Sequence, residues 1–228
     1  ATWSSTVPTG PFSTYALSTG PDGFPTSNGG YVRVVADGDP NLTSTDNFTI
    51  SFWMNPRTFD STTVPAQFPH PRPVLFKSNG TKGYMASITG KAISFTMFNG
   101  TSNQLEAKAN FQLCVNKYFL VVISHDASKP PAQRLKISIN GHDDMTMVQT
   151  AEPGDIRTSS DLLIGHGIFS SIQATFDGLI DDVRIYEGIL LPQQIPGYSP
   201  ALESVSCTVA AAPANIFGTV LNAFLNLW

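Results

Sequence analysis

From residue 31 to residue 186 the chain is a succession of short apolar runs of strand length, each closed by Gly, Asn or Pro. Residues 31–35 read YVRVV after the turn Ser27-Asn28-Gly29-Gly30. In residues 48–54, Phe48, Ile50, Phe52 and Met54 alternate with Thr49, Ser51 and Trp53. A period of two buries the first set and leaves the second on the opposite face, where Trp53 stands among polar neighbours. Residues 84–88 and 92–98 read as a hairpin through Thr89-Gly90-Lys91, with Gly supplying the positive φ. Residues 118–124 (YFLVVIS) are apolar almost throughout, as a central strand requires. Residues 135–139 alternate and end on Asn140-Gly141, a tight-turn signal. Shorter runs at 74–77, 103–111 and 162–165 complete the set. Strands at this spacing, with no helix between them, predict an all-β antiparallel sandwich.

Two segments break the pattern, and both ends of the chain differ from it. Pro8, Pro11, Pro21 and Pro25 exclude a helix from residues 1–27, which read as an extended arm with an edge strand near 13–17. Pro65, Pro69, Pro71 and Pro73 hold a loop over 58–73 that carries Phe68, His70 and Arg72. The sandwich is assigned to 28–200, and a linker with an amphipathic helix to 201–228. In that tail Ile216, Phe217, Leu221, Phe224 and Trp228 recur at three- and four-residue spacing, with no charged side chain from 214 onward. The helix is shorter than the roughly 20 residues that cross a bilayer. It can pack on its own sandwich, or insert into another subunit or protein through Phe217, Leu221, Phe224 and Trp228; membrane contact is the least favoured use.

Composition narrows the function classes. Only 13% of the 228 residues are charged, and the net charge is -4. No cluster of Lys or Arg exists, which argues against nucleic acid and against an acidic membrane surface. A surface of uncharged polar residues suits an extracellular or virion-exposed protein. Cys114 and Cys207 could form one long-range disulfide or remain two buried thiols.

Several segments, in order, resemble laminin-G-like domains of the concanavalin A-like lectin/glucanase superfamily. Residues 176–195, FDGLIDDVRIYEGILLPQQI, are similar to that family's closing segment, F-x-G-x-I-D-E-V-R-I-Y-x-x-x-L-S-x-x-x-I. Residues 48–56, FTISFWMNP, resemble its F-T-I-S-x-W-V-x-P strand, and Gly29-Gly30-Tyr31-Val32 its G-x-Y-V opening. Residues 117–126 stand where the family has W-x-H-V-A-x-T-Y-D, with Tyr118 in place of the Trp and His125 in place of the Tyr. Residues 135–141 and 162–165 resemble L-x-x-Y-V-N-G and L-x-I-G. The resemblance covers about residues 28–196 and implies a jelly-roll sandwich. It also implies a structural calcium ion, for which Asp37, Asp39 and Asp181 are the candidate ligands. The alternative for these acids is an Asp-Gly turn and a solvated strand residue.

The residues favour binding over catalysis. Glycosidases need two carboxylates about 5–9.5 Å apart, whereas Asp181 and Asp182 are adjacent and, in a regular strand, face apart. Neither G-x-S-x-G nor helical metal-ligand spacing among His70, His125, His142 and His166 is present. The expectation is a non-enzymatic, lectin-like surface recognition module binding a glycan or protein receptor, probed at Trp53, Phe68, His70 and Arg72. The alternative use of Trp53 is packing. A second function class is a virion coat or decoration subunit assembled through its tail and arm. Sequons occur at Asn41, Asn47, Asn79 and Asn99, of which Asn79 and Asn99 fall in predicted turns.

Overall fold

A computed structural model describes residues 2–4, 16–19, 30–35, 42–59, 71–100, 103–169, 172–205 and 207. Phe68, His70, Asp37, Asp39 and the tail residues Phe217, Leu221, Phe224 and Trp228 lie outside the described residues. Among the described residues no helix is long and apolar enough to cross a membrane.

Two antiparallel sheets form a sandwich. The first has strands β1 (Thr2–Ser4), β2 (Ala16–Thr19), β15 (Gly178–Glu187), β4 (Phe48–Pro56), β9 (Phe119–His125) and β10 (Leu135–Ile139), in that spatial order. The second runs β11 (Met145–Thr150), β8 (Asn103–Ala109), β7 (Ala92–Asn99), β6 (Lys82–Thr89), β5 (Arg72–Ser78), β12 (Leu162–Ile164) and β3 (Val32–Val34). A separate hairpin, β13 (His166–Phe169) with β14 (Ile172–Thr175), packs beside β5. The only α-helical piece among the described residues is one turn, Pro131–Arg134. The turn at Asn140-Gly141 has φ of 55° and 89°, both positive, as the tightest hairpin connection demands.

The alternation read from the sequence fills the space between the sheets. Phe48, Ile50, Phe52 and Met54 of β4 meet Phe119, Val121 and Ile123 of β9 there, with Leu75, Tyr84, Phe95 and Met97 from the facing sheet. Cys114 and Cys207 close a disulfide with Cα atoms 5.5 Å apart. The bond decides between the two states that spacing alone left open.

The other face of β4 differs from expectation, because all nine of its residues are buried. After β15 the chain turns at Gly188 (φ +85°) and crosses the outside of the first sheet. Thr49 Oγ1 fastens its start, donating to the Gly188 carbonyl at 2.9 Å and accepting from the Leu190 N–H at 2.8 Å. The strap forms a 3-10 turn at Pro192–Gln194. A second, Pro200–Ser204, is capped by Ser199, whose Oγ accepts from Ala201 N–H at 3.4 Å. Leu190, Ile195, Tyr198 and Leu202 of this strap cover Trp53, Leu120 and Val122 in a second apolar cluster. The His142 ring and the Glu203 carbonyl hold its far end at 2.7 Å, and the disulfide at Cys207 follows.

Candidate functional site

The strap removes Trp53 from consideration as a stacking platform. Its side chain is only 7% exposed. A Cβ placed on Gly197 would lie 3.3 Å from the indole Nε1, so the strap backbone lies directly against the ring. The same-face neighbours Thr49, Ser51 and Asn55 are also buried, and Thr49 binds the strap. Beside this cluster, the Tyr118 phenol is pushed up to about 12 by burial first and by the Asp181 charge second, with a hydrogen bond from Asn55 opposing.

Arg72 does not face a ligand-binding surface either. Arg72 begins β5 and is 5% exposed. Its Nη1 donates to Thr58 Oγ1 at 3.1 Å, and Thr58 Oγ1 in turn donates to Asp177 Oδ2 at 3.1 Å. Asp177 also receives Arg57 Nη1 at 3.3 Å. Arg72 is thus part of a buried polar network that ties the start of β5 to the entry of β15, because a guanidinium out of water needs such partners. Asp181 and Asp182 do not follow the simple alternation that the sequence implied. A β-bulge lies between Asp181 and Arg184, and Asp182 has φ of 49°. Asp181 Oδ1 accepts the Asp182 N–H at 2.8 Å, and Asp182 Oδ1 accepts Arg184 Nε at 2.6 Å. Asp181 lies opposite Trp53 in the first sheet, whereas Asp37 and Asp39 lie outside the described residues. Among the described residues no three His, Cys, Asp or Glu side chains are grouped to hold a metal ion.

What the fold does assemble is a cleft of about 590 Å³ on the outside of the second sheet. β12 lies between β3 and β5, and its register sets Leu163 beside both Arg33 and Phe76. Leu162, Ile164 and Val34 pack with the inter-sheet core, so Arg33, Leu163 and Phe76 form a row on the outer face. The β13–β14 hairpin makes the wall. Gly167 allows its close approach, since a Cβ there would meet Pro73 Cγ at 2.7 Å and the Phe76 ring at 3.1 Å. Tyr31 stacks on His166 with ring centroids 4.7 Å apart and planes 19° apart, yet remains 44% exposed. His166 is itself held by Thr175, Nδ1 to Oγ1 at 3.3 Å. Arg33 and Asp161 form an ion pair at the cleft, and Ser78, Asn79 and Gly80 complete its rim.

The sequence contained the signal for Tyr31 and Arg33. In YVRVV the alternation that sends Val32 and Val34 inward sends Tyr31 and Arg33 outward together. His166 and Asp161 could not be placed that way, because the hairpin of β13 and β14 covers its sheet through long-range packing.

A second cleft, of about 890 Å³, opens at one end of the sandwich near Thr45, Asp46, Asn47, Ser128, Tyr186 and Glu187. Two carboxylates line it, without an exposed aromatic ring, since Tyr186 is half-buried and packs with the strap cluster.

The profile of laminin-G-like domains matches residues 26–196. The chain belongs to the concanavalin A-like lectin/glucanase superfamily. No curated protein sequence matches this member. Among solved structures it is similar to the receptor-binding domain of botulinum neurotoxin D, with a TM-score of 0.51 at 14% identity, over 77% of this chain and 40% of that one. It is also similar to the binding domain of Paraclostridial Mosquitocidal Protein 1, with TM-score 0.49, 15% identity, and coverage of 72% and 41%. A third similar structure is the Ruminococcus gnavus sialidase CBM40 bound to α2,3-sialyllactose, with TM-score 0.49, 16% identity, and coverage of 65% and 80%. The chain spans about two-fifths of the length of those toxin domains. At such identities the likeness to the neurotoxin domain shows the fold alone.

Proposed function

We propose that this lectin-like domain is a non-enzymatic recognition module on an extracellular or particle surface, and that it binds a neutral glycan in the Tyr31 cleft. The observation that carries the reading is the Tyr31 ring, backed by His166 and open to solvent beside a polar rim. A sugar offers an apolar C–H face, which an exposed aromatic ring desolvates, and a set of hydroxyls that need hydrogen-bond partners around it. Arg33, Asp161 and Ser78 supply donors and acceptors at that rim. Arg33 and Asp161 are paired with each other, so the cleft's two opposite charges largely cancel and favour a hydroxyl-rich ligand over a strongly ionic one. The cleft volume, about 590 Å³, suits one or two sugar rings. A disulfide agrees with a location outside the reducing cytosol.

A screen against neutral and acidic glycans, followed by titration, tests this. Tyr31→Ala should weaken binding about 30-fold, the loss of a central aromatic anchor worth about 2 kcal/mol. Arg33→Ala should also weaken it. Unchanged affinity in both variants, each folded by circular dichroism, would overturn the assignment of this cleft.

A further inference from the structure

We propose that Asn79 is an N-glycosylation site and that its glycan stands at the rim of the Tyr31 cleft; the second half rests on the cleft reading above. Three sequon asparagines lie within the described residues, and the structure separates them. Asn47 is followed by Phe48 and Thr49, which are buried at the start of β4. There Thr49 Oγ1 is committed to the Gly188 carbonyl, out of an enzyme's reach. Asn99 is half-buried, and its Nδ2 donates to the Asp155 carbonyl at 3.1 Å. Asn79 is exposed in the turn between β5 and β6, followed by exposed Gly80 and Thr81.

The Asn79 amide is also oriented for the reaction. Its Oδ1 accepts from Thr81 N–H at 3.1 Å, Lys82 N–H at 3.0 Å and Thr81 Oγ1 at 3.0 Å. With the oxygen turned inward by three donors, Nδ2 is left on the outer side, with no hydrogen bond to the described residues. A Cβ on Gly80 would meet nothing within 4 Å, so there is open space beside the amide. In the transfer, Nδ2 bonds to C1 of the reducing-end sugar of a lipid-pyrophosphate-linked oligosaccharide. The C1–O bond to the pyrophosphate breaks, the lipid pyrophosphate leaves with the electron pair, and the amide proton passes to a base. No oxidation occurs. The compartments that supply such a donor are oxidising, as the Cys114–Cys207 bond requires. Because Ser78, Asn79 and Gly80 line the cleft, an attached glycan starts at its edge. A glycan that occludes the cleft about four-fifths of the time lowers apparent affinity about fivefold.

The test is expression of the full chain in a secretory eukaryotic host, with glycopeptide mass spectrometry before and after amidase release. The peptide carrying Asn79 should bear the oligosaccharide mass, lost in Asn79→Gln and in Thr81→Ala, while the Asn47 peptide stays unmodified. Translation into microsomes gives the same readout if secretion is poor. An Asn79 peptide found only unmodified in both systems overturns the proposal. Trimming the glycan should then raise affinity for the glycan found by screening about fivefold. If trimming has no effect while Tyr31→Ala still weakens binding, the rim position is wrong and the cleft stands. If Tyr31→Ala also has no effect, the cleft reading fails and the modification stands alone.

Discussion

Breaking the Cys114–Cys207 bond should destabilise the domain mainly through its unfolded chain. The bond spans a sequence separation of 93. Closing a loop of that length removes about 15.6 cal/mol/K of chain entropy, or about 4.7 kcal/mol at 25 °C. Residual structure in the denatured chain reduces this figure, so the Cys114→Ser/Cys207→Ser variant should lose about 3–4 kcal/mol. At about 2–4 °C per kcal/mol for a domain of this size, Tm should fall by roughly 10 °C. The native structure should change little at its core, because β4 and β9 pack through Phe52 and Val121 independently of the bond. The strap's far end would then depend on the contact between the His142 ring and the Glu203 carbonyl and on Tyr198 bonding Glu203. Urea denaturation in a chain whose only tryptophan is Trp53 (Trp3→Phe, Trp228→Phe) reads both effects. The midpoint reports stability, and acrylamide quenching of Trp53 in zero denaturant reports opening of the strap. A Tm within about 2 °C of the parent would refute the tether argument, since it leaves less than about 1 kcal/mol for the loop.

Trp53→Ala should cost about 3–5 kcal/mol, as loss of a buried aromatic does, yet a folded Trp53→Phe chain should keep its affinity for glycan; a large affinity loss in the Phe variant would return the ligand to the first sheet. His125 should make stability pH-dependent. It is fully buried, its Nδ1 meets the Asp46 carbonyl at 2.7 Å, and it stacks on Phe48 with centroids 5.1 Å apart. Burial lowers its pKa below 6.5, although the bond to Asp46 opposes the shift. As pH falls through about 6.5 the unfolded chain protonates first, so stability is complete above that pH and declines below it until the folded imidazole also protonates. Denaturation at pH 7.5 and 5.5 should show this loss in the parent and a smaller one in His125→Phe; equal losses would refute it.

The inward half of the sandwich was legible because it obeys local rules. Alternation in β4, the apolar run in β9 and the Asn140-Gly141 turn each follow from pleat geometry and φ preferences within a few residues. Trp53 exposes the limit of that reasoning. Alternation correctly sent Trp53 to the face opposite Phe52, but it carries no information on what covers that face. The cover comes from residues 190–204, well over a hundred positions later, and its apolar members Leu190, Ile195, Tyr198 and Leu202 have no strand or helix period to announce them. Likewise β11, β13 and β14 were missed: β11 leaves most of its residues partly or fully exposed, and the hairpin is short. Asp181 and Asp182 illustrate the opposite failure, where a bulge with a positive φ breaks the period on which the prediction relied.

The two outer faces consequently have different fates. The first sheet, with its tryptophan and its string of small polar residues, has the composition expected of a ligand platform, but the chain's own strap occupies it. On the second sheet the β13–β14 hairpin packs beside β5, its His166 backs the Tyr31 ring, and the outer row of Arg33, Leu163 and Phe76 becomes the floor of a walled cleft. A strap that fills a face and a hairpin that borders one are both short apolar segments laid on a sheet. What separates them is whether an exposed aromatic ring remains beside unfilled space, and among the described residues lining the two clefts that ring is Tyr31.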